Sequence, residues 1–163
     1  MYNDNVSGYT VAMGHDEQLE LLRSAVSLRV QSRDVSERVR RELALVEAAL
    51  LRVVGPLVRK RVAAALLAVS VQALDKRIAA NDIPTAAISD TSQRQAIPTE
   101  HLVGLAAETE LVRRAGGSAR PLSQAIDALR ERTWRQVELV SAINLTEFSH
   151  QIAAQARERR RNT

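Results

Sequence analysis

The chain has 163 residues, a formal net charge of +4 and no cysteine, with 45% apolar residues but only 2% aromatic ones. Disulfides, thiol catalysis and thiolate zinc sites are thereby excluded, and Ala, Val and Leu must supply thin helical interfaces rather than a thick aromatic core. No apolar run reaches the roughly 18 to 20 residues of a membrane span, and the polar start Met1 to Asn5 lacks the order of a secretory signal, so a cytoplasmic protein with no membrane partner is expected.

Between His15 and Val54 there is neither proline nor glycine, and apolar residues recur at Leu21, Ala25, Leu28, Val35, Val39, Leu43, Val46, Leu50 and Val53. Steps of three and four, with Ser32 filling the one gap between Leu28 and Val35, place them on one stripe, which predicts a single amphipathic helix of about ten turns. Its other face carries Arg23, Arg33, Arg40 and Arg41 with Glu20, Glu37 and Glu47, read as balanced and solvated. Gly55-Pro56 ends the helix, because glycine accepts a left-handed cap and proline cannot continue the hydrogen-bond ladder.

The next stretch, Lys60 to Pro84, predicts a short alanine-rich helix ending at Leu67, a tight turn, and a second short helix capped by the Ser70 hydroxyl. Val71, Leu74 and Ile78 share the inner face of that second helix, against Ala64, Leu67 and Val69, which leaves Gln72, Asp75, Lys76 and Ala79 outward. Asn81 suits a left-handed cap, and Pro84 prevents continuation. After Gly116-Gly117-Ser118, a flexible joint, Pro121 opens a second long stripe: Leu122, Ile126, Leu129, Thr133, Val137, Val140, Asn144, Phe148 and Ile152. A narrow stripe on so long a helix needs a partner, so the two long helices pack on each other within the chain or pair between chains. The end of the chain, with Arg157, Arg159, Arg160 and Arg161, is either a solvated helix end or a phosphate contact.

The middle stretch resembles the winged helix-turn-helix shared by MerR-type regulators and phage excisionases. Ala63-Ala64-Ala65-Leu66-Leu67-Ala68-Val69-Ser70 matches the family's Ala-Ala-x-Leu-Leu-x-Val-Ser element before a recognition helix. Thr85 to Ala96 would be the wing, with Asp90-Thr91-Ser92 at its turn, and Ile97-Pro98-Thr99-Glu100-His101-Leu102 is similar to the family's Ile-Pro-x-Glu-Asp-Leu exit into a closing helix. Ser92 and Asn81 stand where the family usually has glycine.

The resemblance implies binding to double-stranded DNA. Gln72 and Lys76 would reach base edges in the major groove, while Lys60, Arg61 and Arg94 would hold phosphates. Arg77 would contact phosphate or fold back over its own helix, Ser70 opens the recognition helix, and Asp75 would accept from cytosine or impose a small penalty.

The expected fold class is therefore mainly α, a small winged helix-turn-helix module at 57–115 flanked by long amphipathic helices at 1–56 and 116–163. The expected function is a nucleoid-associated, sequence-specific DNA-binding regulator, homodimeric through its long helices, of the repressor, autoregulating antitoxin or excisionase-like type. The alternative is a helical scaffold or adaptor that binds another protein. No glycine-rich phosphate loop, Gly-x-Ser-x-Gly element or His-Glu-x-x-His pair is present, and His15, His101 and His150 lie in three different segments. No catalysis, cofactor or metal is expected.

Overall fold

The computed structural model describes residues 13–87, 95–116, 119–133 and 135. It is mainly helical with a small three-stranded sheet. The first long stripe is not one helix but two, α1 (His15–Gln31) and α2 (Glu37–Val54), packed on each other as a hairpin. The break falls at Ser32-Arg33-Asp34-Val35-Ser36, where short polar side chains compete with the helical ladder for backbone groups. There the Ser32 hydroxyl donates to the Arg29 carbonyl at 2.8 Å, and Arg40 Nε donates to the Ser32 carbonyl at 3.1 Å, which ties the two helix ends together.

Folding back changes which residues are buried. Leu22, Ala25 and Val30 are the buried residues of α1, because this helix meets α2, α3 and α5 at once and is covered on more than one side. Of the expected stripe in α1, Ala25 is buried and Leu21 and Leu28 are half-buried. In α2 the inward residues are Glu47 and Val54, whereas Val39, Val46 and Val53 face out. Glu47, expected on a solvated face, is thus a correction: the stripe and the buried face of α2 do not coincide.

Gly55 stops α2 with φ of 90° and ψ of 172°, a positive-φ conformation that favours glycine. Pro56 leads into β1 (Leu57–Arg59), which was not foreseen: strand was expected only in the wing. Three residues are too few to show an alternating pattern, and β1 exists because its backbone pairs with a distant strand. The order then runs α3 (Lys60–Leu67), α4 (Val71–Ala79), β2 (Ala86–Ala87), β3 (Gln95–Pro98) and α5 (Thr99–Arg114). The sheet order is β1-β3-β2, antiparallel throughout, with Val58 opposite Ile97 and Ala86 opposite Ala96.

Two left-handed residues shape this middle part. Ala68 (φ 55°) ends α3, with Val69 N–H donating to Ala64 O at 3.0 Å, and Asn81 (φ 57°) ends α4, with Asp82 N–H donating to Arg77 O at 2.9 Å. Both are six-to-one closures of a helix end, and the second agrees with the cap expected at Asn81. Leu67, Leu74, Ile83, Ile97, Leu102 and Leu105 form the centre of the core beneath them. Val71 departs from the expected inner face: at 41% exposure it opens the helix rather than packing under it.

The closing helix α5 is fastened at both ends. Thr99 donates through its backbone N–H to Pro56 O at 2.9 Å and through its hydroxyl to Gly55 O, so the exit from the sheet is locked to the end of α2. Arg113 Nη2 donates to Leu67 O at 2.9 Å, satisfying a carbonyl left free where α3 stops. The chain divides into two compact units, 1–125 and 126–163. Residues 121–133 are helical, with Pro121 in the first turn and Leu122 buried in the first unit. The remainder of the second stripe, Val137 to Ile152, lies outside the described residues, as do the terminal arginines.

Candidate functional site

The surface that carries the expected site is built by α3, the turn after it, and α4. Ser70 caps α4: its hydroxyl accepts from Ala73 N–H at 3.1 Å, satisfying one of the free donors of the first turn. That cap sets the helix phase, so Leu74 points into the core with no exposure while Gln72, Asp75, Lys76 and Ala79 are exposed together.

At the start of α3, Arg59, Lys60 and Arg61 stand in sequence, and no acidic residue occupies the first turn. The N-terminus of a helix carries partial positive charge, and cations there cost stability of roughly 0.3 to 1 kcal/mol where anions would add it. The local arrangement thus favours an anion. Lys60 Nζ bridges to Asp75 Oδ1 at 2.7 Å, joining the start of α3 to the outward face of α4. Arg77 folds back: Nη1 binds Asp82 Oδ2 at 2.9 Å and Nη2 donates to Ser123 Oγ, so its guanidinium is engaged within the first unit.

Charge accounting over residues 57–87 follows from these pairs. The segment has five basic residues and two acidic ones, Asp75 and Asp82, and each acid is bound to a basic partner, Lys60 or Arg77. Arg59, Arg61 and Lys76 remain exposed and make no ion pair with another described residue. Arg59 belongs with Lys60 and Arg61, although only those two are expected at the site from sequence; the run Arg59-Lys60-Arg61 is the signal that points to it. Arg94 and the turn Asp90-Thr91-Ser92 lie outside the described residues.

Other charged groups serve the fold. Arg29 Nη2 pairs with Glu47 on α2 and with Glu100 Oε2 on α5 at 2.9 Å, and Arg33 pairs with the buried Glu108. Burial disfavours the Arg29 cation, yet the hydrogen bonds and charges of Glu47 and Glu100 outweigh it, and its pKa is raised. Gly104 leaves room for this guanidinium, since a Cβ there would lie 3.3 Å from Arg29 Nη1. Arg33, expected on a solvated face, is exposed there, and it pairs in addition with a carboxylate 75 residues away. His101 is half-buried, and burial lowers its pKa from the ordinary value.

No protein-family model matches this chain, and no curated protein or solved structure is detectably similar to it. Among the described residues no group of three His, Asp or Glu side chains could hold a metal ion, and no helix is long and apolar enough to cross a membrane.

Proposed function

We propose that residues 57–115 form a winged helix-turn-helix that lays α4 in the major groove of double-stranded DNA, and that the chain is a sequence-specific regulator of the repressor, autoregulating antitoxin or excisionase-like type. The observation that carries this reading is the coincidence of three features on one segment. A capped helix follows a tight turn; the sheet order β1-β3-β2 brackets the pair; and Arg59, Arg61 and Lys76 are exposed and make no ion pair with a described residue. A purely structural helix pair gains nothing from cations at the positive end of α3.

Gln72 and Lys76 are the base-reading candidates, as the exposed polar donors on α4. Arg59 and Arg61 are the phosphate contacts, and Lys60 joins them by exchanging part of its Asp75 contact for a phosphate oxygen. That exchange leaves Asp75 to accept from a cytosine amino group. Arg77 holds the end of α4 in place through Asp82 and Ser123. Ser70 acts by orienting the helix, its side chain being used by the cap.

The test is a fluorescence titration of the full chain with the duplex upstream of its own gene and with random duplex, over a range of salt. Three phosphate contacts imply a fall of log Kobs with log salt of about −2.7. Gln72→Ala and Lys76→Ala should each cost about 1 to 3 kcal/mol on the preferred duplex and less on random DNA. Absence of binding to either duplex at low salt overturns the proposal. A protein partner held with little salt dependence would instead support the adaptor reading, which the exposed apolar face of α2 favours.

A further inference from the structure

Helix α4 exposes a continuous row of side chains. Val71, Gln72, Asp75, Lys76 and Ala79 follow one another at steps of one, three, one and three, the spacing that keeps residues on one side of a helix, and all five are exposed. Leu74 anchors the other side in the core with no exposure. Gln72, Asp75 and Lys76 carry hydrogen-bonding groups, whereas Val71, at the head of the row, carries methyl groups alone. It is 41% exposed, and the other exposed large apolar side chains among the described residues all lie on α2.

The position of Val71 follows from the cap before it. The Ser70 hydroxyl accepts from Ala73 N–H at 3.1 Å, so that side chain is committed to the backbone and Val71 supplies the first outward group of the helix. Helical side chains lean toward the N-terminus, which sets Val71 over the leading end of α4. In a helix-turn-helix the N-terminal residues of the second helix are the ones that meet base edges. Of the groups that base pairs present in the major groove, the apolar one is the C5 methyl of thymine.

We propose that Val71 is a specificity residue that reads a thymine through its C5 methyl, beside the pair read by Gln72. The inference rests on the DNA-binding reading and deepens it by naming a base that the preferred site must contain. Cytosine at the same place has no methyl and presents an amino donor, which a valine would strip of water without accepting from it. The neighbours of Val71 fit the same surface: a row of base-pair edges offers a methyl, donors and acceptors side by side, matching one apolar and three polar side chains on one helical face.

The test starts from the duplex that the full chain selects from a random pool. Each thymine of that duplex is replaced singly by deoxyuridine, which pairs identically and differs by the methyl alone. One replacement should weaken wild-type binding about fourfold, the effect of one buried methyl. Val71→Ala, which draws apolar surface back from the groove, should bind the thymine and deoxyuridine duplexes equally, because the two changes remove the same contact. Its salt slope should match that of wild type, since no phosphate contact is altered. Its urea midpoint should not fall, because Val71 is exposed in the fold.

Specific binding in which no deoxyuridine replacement has an effect overturns this proposal and leaves the DNA-binding reading standing. A deoxyuridine effect that persists undiminished in Val71→Ala assigns the methyl to another residue and overturns it equally. Selection that returns no preferred sequence shows that Val71 reads no base. Absence of binding to any duplex at low salt overturns the DNA-binding reading, and this inference with it.

Discussion

Two arginines at the end of α1 and in the turn after it, and the basic residues of the α3–α4 pair, look alike in sequence and behave oppositely in the fold. Arg29 and Arg33 reach across to carboxylates of α2 and α5, two of them buried, and hold three helices together. Arg59, Arg61 and Lys76 reach no carboxylate of a described residue and are each exposed. The lesson is that a positive charge says little about function until its partner is known. In a chain whose net charge is only +4, the internal pairs decide where the unspent charge lies. Arg77 shows the distinction at short range, one residue after Lys76 yet turned inward to Asp82 and Ser123.

The sharpest way to break this comparison is Arg29→Ala. Removing a guanidinium that compensates Glu47 should cost about 2 to 3 kcal/mol, toward the low end for a broken buried pair because Arg29 keeps 28% exposure. A urea denaturation midpoint measures it, and DNA affinity per folded molecule should not change. An unchanged midpoint would mean that α1 carries no structural charge. Arg77→Ala comes next, with about 1.5 kcal/mol lost from its charged hydrogen bonds and no change in the salt slope of DNA binding. A slope reduced by about one would place Arg77 among the phosphate contacts instead.

Arg61→Ala should have the reverse signature. Its stability should stay within about 0.5 kcal/mol of wild type, since nothing within the described fold depends on it. The salt slope should fall by about one, equally on preferred and random duplex. Loss of stability without any change in slope would return Arg61 to the structural class.

The smallest effect concerns His101. Burial lowers its folded pKa, so on acidification the unfolded chain takes up a proton first, near its ordinary value of about 6.5. Stability present above that value should decline as pH falls through it toward the folded pKa. Comparing urea midpoints of wild type and His101→Gln between neutral and mildly acidic pH isolates the contribution; parallel curves would exclude it.

Much of the middle segment is legible in the sequence alone. The ends of α3 and α4, the Ser70 cap, the left-handed Asn81 and the outward set Gln72, Asp75, Lys76 and Ala79 all agree with the sequence reading. Each rests on a local rule: a hydroxyl within reach of the next turn, a residue tolerant of positive φ, or a buried leucine that fixes helix phase. The Gly55-Pro56 stop is of the same kind. Such signals act over a few residues, and the chain states them directly.

What the sequence left undecided all involves partners far along the chain. The 15–54 stripe satisfies helical periodicity with or without a break, and only the packing of α1 against α2 and α5 selects the hairpin. β1 is visible only through its pairing with β3. Arg29 meets Glu100 across 71 residues and Arg33 meets Glu108 across 75, distances at which no spacing rule operates. Which face of α2 is inside follows from the same packing: periodicity defines an apolar stripe, but burial is decided by what the fold brings against it. Local sequence thus determined the helices, caps and turns of this protein, and tertiary contact decided which charges and which apolar face remained free, because burial and ion pairing depend on neighbours that the chain brings together only when it folds.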